Sequence, residues 1–491
     1  MSSPTVADAP QKGFFGHPRG LSTLFFTEMW ERFSYYGMRA ILAYFLYASI
    51  ADGGLAIPES TALSVVGVYG ASVYMTGVVG GWLADRVMGS QAAVFYGGVV
   101  IMLGHICLAL PGGVATVVLG LVLLVIGTGL LKPNVSGLVG GLYSDDDVRR
   151  DAGFSIYYMG INLGGFLAPF VAGTLGERVG WHWGFGAAAV GMAIGLIQYS
   201  LGRKNLGSAG LKPVNPLPAE HKGRVLGRAI GIAVLFVVVL GGLSVSGVMG
   251  LGGLVNVVSI ISAVLPIAYF AVMLSSKQIT KVERDRLIAY IPLFLATALF
   301  FLLFEQQPNT LANLAEADTE LNVLGFEVPA SWFQSINSLA IIILAPVVAA
   351  LWMKLGSRQP STPQKFVGGL FFVGVAFLWV VLSKVVVGDG KHLPLMLALV
   401  FVIMTVGELL LSPVGLSAST KLAPKVFASQ TMGLYFLAPA MGQGLGAQVV
   451  KLYSVDNQQI YFGIVGLATI GCAALLLVFA KSIKSKMHGV L

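Results

Sequence analysis

Seven charged residues of this chain interrupt long apolar runs: Glu28, Glu31, Arg32, Arg39, Lys132, Glu305 and Glu408. At about 3 kcal/mol each on membrane-insertion scales, their summed cost of roughly 20 kcal/mol exceeds a typical net stability. They must therefore pair with one another or line a wet cavity. Positions 28, 31, 32, 35 and 39 step by three or four, so Glu28, Glu31, Arg32, Tyr35 and Arg39 share one helical face, expected to point into a bundle. Lys132 precedes Pro133 and Asn134, which predicts a half-broken helix presenting freed carbonyls. Glu305 stands in Phe304-Glu305-Gln306-Gln307-Pro308-Asn309, and Glu408 in Gly407-Glu408-Leu409 upstream of Ser412 and Pro413. Complete pairing of Arg32, Arg39 and Lys132 leaves one carboxylate over, and burial drives such a group to take up a proton. Bases and acids on opposing helices, with Tyr35, Tyr36, Tyr74, Asn162 and Asn337 as neutral donors and acceptors, suit a small zwitterion. A sugar would need fewer charges, and an apolar drug none.

The elements that must position these groups follow from composition. Of 491 residues, 56% are hydrophobic and only 11% charged, against roughly 25% charged in a soluble domain. Apolar runs occupy 21–50, 61–84, 92–111, 115–141, 152–176, 181–202, 229–247, 251–275, 287–311, 330–353, 366–383, 392–417, 426–450 and 458–480. That is about 14 spans, each able to cross roughly 30 Å of hydrocarbon. The expected fold is an all-α polytopic membrane protein with both termini on one side. Of the 30 Lys and Arg residues, Arg178, Lys384, Lys391 and Lys451 fall opposite the termini and Arg32, Arg39 and Lys132 fall within spans; the others share the terminal side. By the positive-inside rule the termini are cytoplasmic, and the net charge of +8 is loop bias rather than a nucleic-acid surface.

Other classes are excluded on similar grounds. Cys107 and Cys472 lie in separate apolar runs, so no redox pair or metal site is expected. Residues 1–20 are polar, and no cleavable leader is expected. There is no phosphate-binding loop for nucleotide and no nucleophile with a base partner, so the chain reads as no enzyme, with no cofactor. His105 is expected to be a hydrogen-bonded structural residue, Trp30 and Phe33 to pack, and Asp145, Asp146 and Asp147 with Arg149 and Arg150 to form a solvated loop cluster.

The basic, proline-bearing stretch 203–228 divides the chain after six spans, and the nearly uncharged 229–275 reads as a lipid-facing hairpin. Removing that hairpin leaves six plus six spans, the plan of carriers with a midplane site. The expected parts are a cytoplasmic tail 1–20, a six-helix bundle 21–202, a linker 203–228, an inserted hairpin 229–275, a connection 276–286, a second six-helix bundle 287–480 and a tail 481–491. Around the end of span two, Gly80-Gly81-Trp82-Leu83-Ala84-Asp85-Arg86-Val87-Met88-Gly89 resembles the major facilitator loop motif, with Asp85 and Arg86 expected to pair across a tight turn. Trp352-Met353-Lys354-Leu355-Gly356-Ser357-Arg358 is a weak copy in the second half.

Longer motifs carry a more specific resemblance. Gly16-His17-Pro18-Arg19-Gly20 with Glu28-Met29-Trp30-Glu31-Arg32-Phe33-Ser34-Tyr35-Tyr36-Gly37 resembles the signature of the proton-dependent oligopeptide transporter (POT/PTR) family of the major facilitator superfamily. Tyr157-Tyr158-Met159-Gly160-Ile161-Asn162-Leu163-Gly164-Gly165, Trp332-Phe333-Gln334-Ser335-Ile336-Asn337 and Gly407-Glu408-Leu409 are similar to further family stretches. Tyr435 replaces the common Trp, and Tyr157 and Gly165 the usual Phe and Ser.

The resemblance implies proton-coupled symport of di- and tripeptides into the cell by alternating access, across the bacterial inner membrane. Arg39 and Lys132 would hold the peptide carboxylate and Glu408 its amino terminus. Asn162, Asn337, Tyr35, Tyr36, Tyr74, Tyr435 and Ser412 would complete the pocket. Proton coupling would rest on Glu28, Glu31, Arg32 and Glu305. Gate pairs would be Arg39 with Glu305 and Lys132 with Glu408, and Asp85 with Arg86 a latch. Expected partners are di- and tripeptides, peptide-like drugs, protons and the lipid bilayer, in a monomer needing neither nucleotide nor cofactor beyond the proton gradient.

Overall fold

The computed structural model of the chain describes residues 13–144, 147–218, 220, 223–225, 227–228, 231 and 250–489. Among these the chain is almost entirely helical: α1 Arg19–Tyr47, α2 Glu59–Leu83, α3 Ser90–Ala109, α4 Gly113–Gly141, α5 Arg150–Arg178 and α6 Trp181–Gly202. After the linker come α7 Leu251–Ser275, α8 Lys281–Phe304, α9 Thr310–Ala317, α10 Ser335–Leu355, α11 Thr362–Val387, α12 Pro394–Lys421, α13 Ala428–Val449 and α14 Gln458–Lys486. Eleven helical segments among the described residues are long and apolar enough to cross a membrane. α1 and α13 also have spanning length, at 29 and 22 residues, but their charges and polar side chains dilute their hydropathy. The expected span 229–247 lies, apart from residue 231, outside the described residues.

Local chemistry sets the helix ends. Thr280 starts α8 through a capping box, its hydroxyl accepting from the Glu283 amide at 3.2 Å while the Glu283 carboxylate accepts from the Thr280 amide at 2.8 Å. Ser361 and Gln364 start α11 in the same way, with Pro363 in its first turn. The one described β-hairpin pairs Asn322–Val323 with Phe326–Glu327, turning through Leu324 and Gly325 at φ 54° and 86°.

Two expectations about breaks are corrected. α4 runs unbroken through Pro133. The proline removes the donor to the Gly129 carbonyl, and that oxygen lies so close to Gly80 of α2 that any side chain on Gly80 would collide with it. A neighbouring helix therefore covers the freed acceptor, as membrane helices allow. Conversely, the expected continuous span 287–311 breaks. α8 ends at Phe304, Glu305 is its C-cap, and α9 begins at Thr310. Gln306 pins the break, its Oε1 accepting from Thr310 at 2.8 Å and from Tyr461 at 2.7 Å.

The chain divides into two compact units. One comprises the described residues within Met1–Ile41, Ser49–Leu55 and Met75–Val257, and the other Leu42–Ala48, Ala56–Tyr74 and Val258–Leu491. In the first, α3 and α4 pack along glycines: a Cβ on Gly97 would stand 2.8 Å from the Gly127 carbonyl, and one on Gly127 2.7 Å from that of Gly97. In the second, α11 and α14 meet in the same manner at Gly374 and Gly466. The second unit gathers the C-terminal end of α1 and most of α2. Tyr44 donates to the Ala312 carbonyl at 3.0 Å, Tyr47 to the Glu316 carboxylate, and Ser64 to the Ala447 carbonyl at 2.8 Å. α7 is not merely lipid-facing as expected. Ser259 and Ser262 are buried, and Gln448 of α13 donates to Ser259 at 2.8 Å.

Candidate functional site

The periodic face read in α1 is real and buried. Glu28, Glu31, Arg32, Tyr35 and Arg39 are each at most 6% exposed. Arg32 Nε donates to Glu31 Oε2 at 2.5 Å and lies 3.2 Å from Glu28 Oε1. Its guanidinium sits 4.9 Å above the Tyr35 ring and 5.9 Å from that of Tyr36. Arg39 donates to the Tyr35 hydroxyl at 3.3 Å and also stacks on that ring, 5.4 Å from its centre. Two acids thus share one base in a desolvated setting, while Glu31 Oε1 and Arg32 Nη2 have no hydrogen-bond partner among the described residues. Lys132 of α4 and Tyr157 of α5 stand close enough to Glu28 to interact with its charge. Tyr157, which sequence reasoning noted only as a departure from the family pattern, also lies 3.5 Å from the Ser136 hydroxyl.

The second unit holds a different constellation. Asn337 of α10 donates through Nδ2 to Thr405 Oγ1 at 2.9 Å and to Glu408 Oε2 at 3.3 Å, both on α12. Thr405 itself donates to the Phe401 carbonyl at 2.8 Å, so its oxygen is aimed to accept. Sequence reasoning missed Thr405, whose only signal is its place one helical turn before Glu408. Glu305 and Tyr435 lie within electrostatic range of Glu408. Tyr435 donates to the Ser412 backbone carbonyl at 3.1 Å, and the Ser412 hydroxyl is buried without a hydrogen-bond partner among the described residues. Tyr74 falls in this second unit. Asn162, in the first, donates to the Tyr158 carbonyl of its own helix at 2.9 Å.

The loop motif after α2 works otherwise than expected. Asp85 and Arg86 form no ion pair with each other among the described residues. They lie in a wide turn, Ala84–Met88, whose backbone grips the linker: Asn215 donates to the Asp85 carbonyl and Leu217 to that of Arg86, each at 3.0 Å. Arg86 Nη1 completes the clasp on the Asn215 carbonyl at 3.2 Å. A flexible Arg gains more from a fixed carbonyl than from an exposed neighbour on its own turn. His105 also departs from expectation, being fully buried with neither ring nitrogen hydrogen-bonded among the described residues. Trp30 and Phe33 do pack, edge to face at 5.6 Å. In the loop cluster, Arg149 pairs with Asp147 at 2.7 Å and donates to the Gly16 carbonyl at 3.2 Å, whereas Asp145 and Asp146 lie outside the described residues.

Comparison with known proteins identifies the family of the chain. The model of the POT family matches residues 91–468. A di-/tripeptide transporter of Lactococcus lactis subsp. cremoris is 43% identical, with 98% of each chain covered. A crystal structure of a peptide transporter POT in complex with sulfate superposes with a TM-score of 0.96 at 51% identity, covering 99% of both chains. A POT family transporter in complex with 5-aminolevulinic acid gives a TM-score of 0.93 at 42% identity, covering 98% of this chain and all of that one. These relatives are transporters rather than enzymes. With buried charges carried on helices of spanning length, the chain is a multi-pass integral membrane protein that belongs to the POT family.

Proposed function

We propose that this chain imports di- and tripeptides by proton-coupled symport. Arg39 and Lys132 hold the peptide carboxylate, Glu408 takes its amino group, and Tyr35, Tyr36, Tyr74, Asn162, Asn337, Ser412 and Tyr435 provide neutral contacts. The observation that carries the reading is Glu408: a half-buried carboxylate held by the neutral donor Asn337, which an arriving ammonium satisfies with charge. Protons are carried by Glu28, Glu31 and Glu305. The first two share a single arginine, and a carboxylate oxygen buried without a donor is where a proton binds. Arg32 sets their balance. The cycle needs no cofactor beyond the proton gradient. The related transporter that binds 5-aminolevulinic acid supports recognition of an amine and a carboxylate on one short chain, so peptide-like drugs fall within reach.

The test is uptake of labelled dialanine into proteoliposomes under an inward proton gradient. Accumulation above equilibrium, abolished by a protonophore and by excess unlabelled peptide, is expected. Uptake indifferent to the protonophore would remove the proton coupling, and binding without uptake would turn the carrier into a sensor.

A further inference from the structure

Within the second unit, α8 and α14 do not close on each other along their whole length. They leave a groove of about 450 Å³ with Leu370 of α11 at its floor. Its walls are aliphatic and aromatic, with Leu295 and Leu299 on one side and Leu475 and Phe479 on the other. Cys472 lies at one end, and Ser482 and Lys486 at the other. From Cys472 to Lys486 the groove follows α14 for roughly 21 Å at 1.5 Å per residue, over half of a hydrocarbon core of roughly 30 Å. Leu295, Leu475 and Phe479 are at least half exposed, so the groove opens sideways onto lipid.

Charge is concentrated where Lys486 stands. The start of α8 supplies Lys281, Arg284 and Arg286, and the end of α14 supplies Lys481, Lys484 and Lys486. The acids among them are engaged locally, Glu283 in the capping box of α8 and Asp285 with His488 at 3.0 Å. An apolar slot ending in a lysine within surplus positive charge is the complement of a lipid with a negative headgroup. We propose that an anionic phospholipid of the surrounding membrane lodges one acyl chain in this groove and sets its phosphate against Lys486. A peptide would leave its backbone groups unpaired on such walls, and a zwitterionic lipid would forgo the match at Lys486.

The experiment is native mass spectrometry of the full-length, delipidated transporter titrated with phosphatidylglycerol or with phosphatidylcholine of identical chains. The first phosphatidylglycerol is expected to bind at a concentration about fivefold lower than the first phosphatidylcholine. Lys486→Gln should erase that preference, whereas Lys484→Gln, on the same turn but outside the groove, should keep it. Cys472→Trp, at an exposed position, should fill the groove and lower the occupancy of both lipids. Equal binding of the two lipids by the unaltered protein would overturn the proposal. So would a preference that survives Lys486→Gln, or one that Lys484→Gln abolishes equally, since either would assign it to the general basic rim.

Discussion

The charge cluster of α1 and the carboxylate of α12 solve the same problem in opposite ways. Glu28 and Glu31 are buried beside their own counter-ion, Arg32, on the same helix. Glu408 is met at one carboxylate oxygen by the amide of Asn337, which is itself tied to Thr405, so the partner it has is neutral rather than ionic. Under the proposed cycle the first arrangement, with Lys132 of α4 and Tyr157 of α5 also near Glu28, suits groups whose protonation changes inside the protein. In that proposed cycle the second leaves a charge for the arriving ammonium to answer. What distinguishes these acids is whether the partner is ionic or neutral, not depth alone.

The comparison can be broken at its strongest point. Arg32→Ala strands two carboxylates without their cation and should cost about 3–5 kcal/mol, the scale for removing one partner of a buried ion pair. Thermal unfolding in detergent should show a large loss, with uptake falling in step because less protein folds. Glu408→Gln should separate the two readouts. The amide keeps an acceptor for Asn337, so stability should stay within about 1 kcal/mol. Peptide affinity should drop by about two orders of magnitude, as when one side of a buried charge pair is lost at roughly 2–5 kcal/mol. Equal effects of the two substitutions on unfolding would erase the distinction between an ionic and a neutral partner.

A fourth carboxylate, outside the spans, sharpens the contrast because it has both kinds of partner. Asp318 accepts from Lys384 at 2.8 Å and from Gln458, with His392 3.7 Å away. Burial alone would push this carboxyl up. The hydrogen bonds from Lys384 and Gln458 and the nearby positive charge outweigh that and hold it below the usual range. A depressed carboxyl stabilises the fold fully above its unfolded value of about 4 and loses that contribution as pH falls through the folded value. Asp318→Asn should therefore flatten the acid limb of a stability-against-pH curve below about pH 4, and cost about 1 kcal/mol or less at pH 7. An unchanged acid limb would show that the contact stabilises nothing.

Much of this was legible in the sequence because membrane burial makes charge conspicuous. The three-and-four spacing of Glu28, Glu31, Arg32, Tyr35 and Arg39 needed only helical periodicity to be read as one face. Asn337 and Glu408 were singled out separately, but their bond depends on how α10 meets α12, which no local pattern encodes. Thr405 stayed hidden because a threonine in an apolar helix ordinarily bonds back to its own backbone, as this one also does. The two errors about helix breaks share a cause. Pro133 reads as a breaker but is accommodated by a glycine on another helix, whereas 287–311 reads as continuous because hydropathy does not register a turn held by Gln306. Likewise Arg86 was matched with the acid beside it in sequence, when its partner is a carbonyl of Asn215 far along the chain.

The glycine seams at Gly97 and Gly127, and at Gly374 and Gly466, bear on how a mutational scan of this protein should be interpreted. At these positions even alanine places a methyl carbon 2.7 to 3.0 Å from the opposing helix, so every substitution should score as damaging. A functional map drawn from tolerance alone would rank these residues beside Glu408, although what they serve is the close approach of two helices. Expression level measured alongside uptake would sort the two groups, since the seams should lose protein and the site should lose only transport.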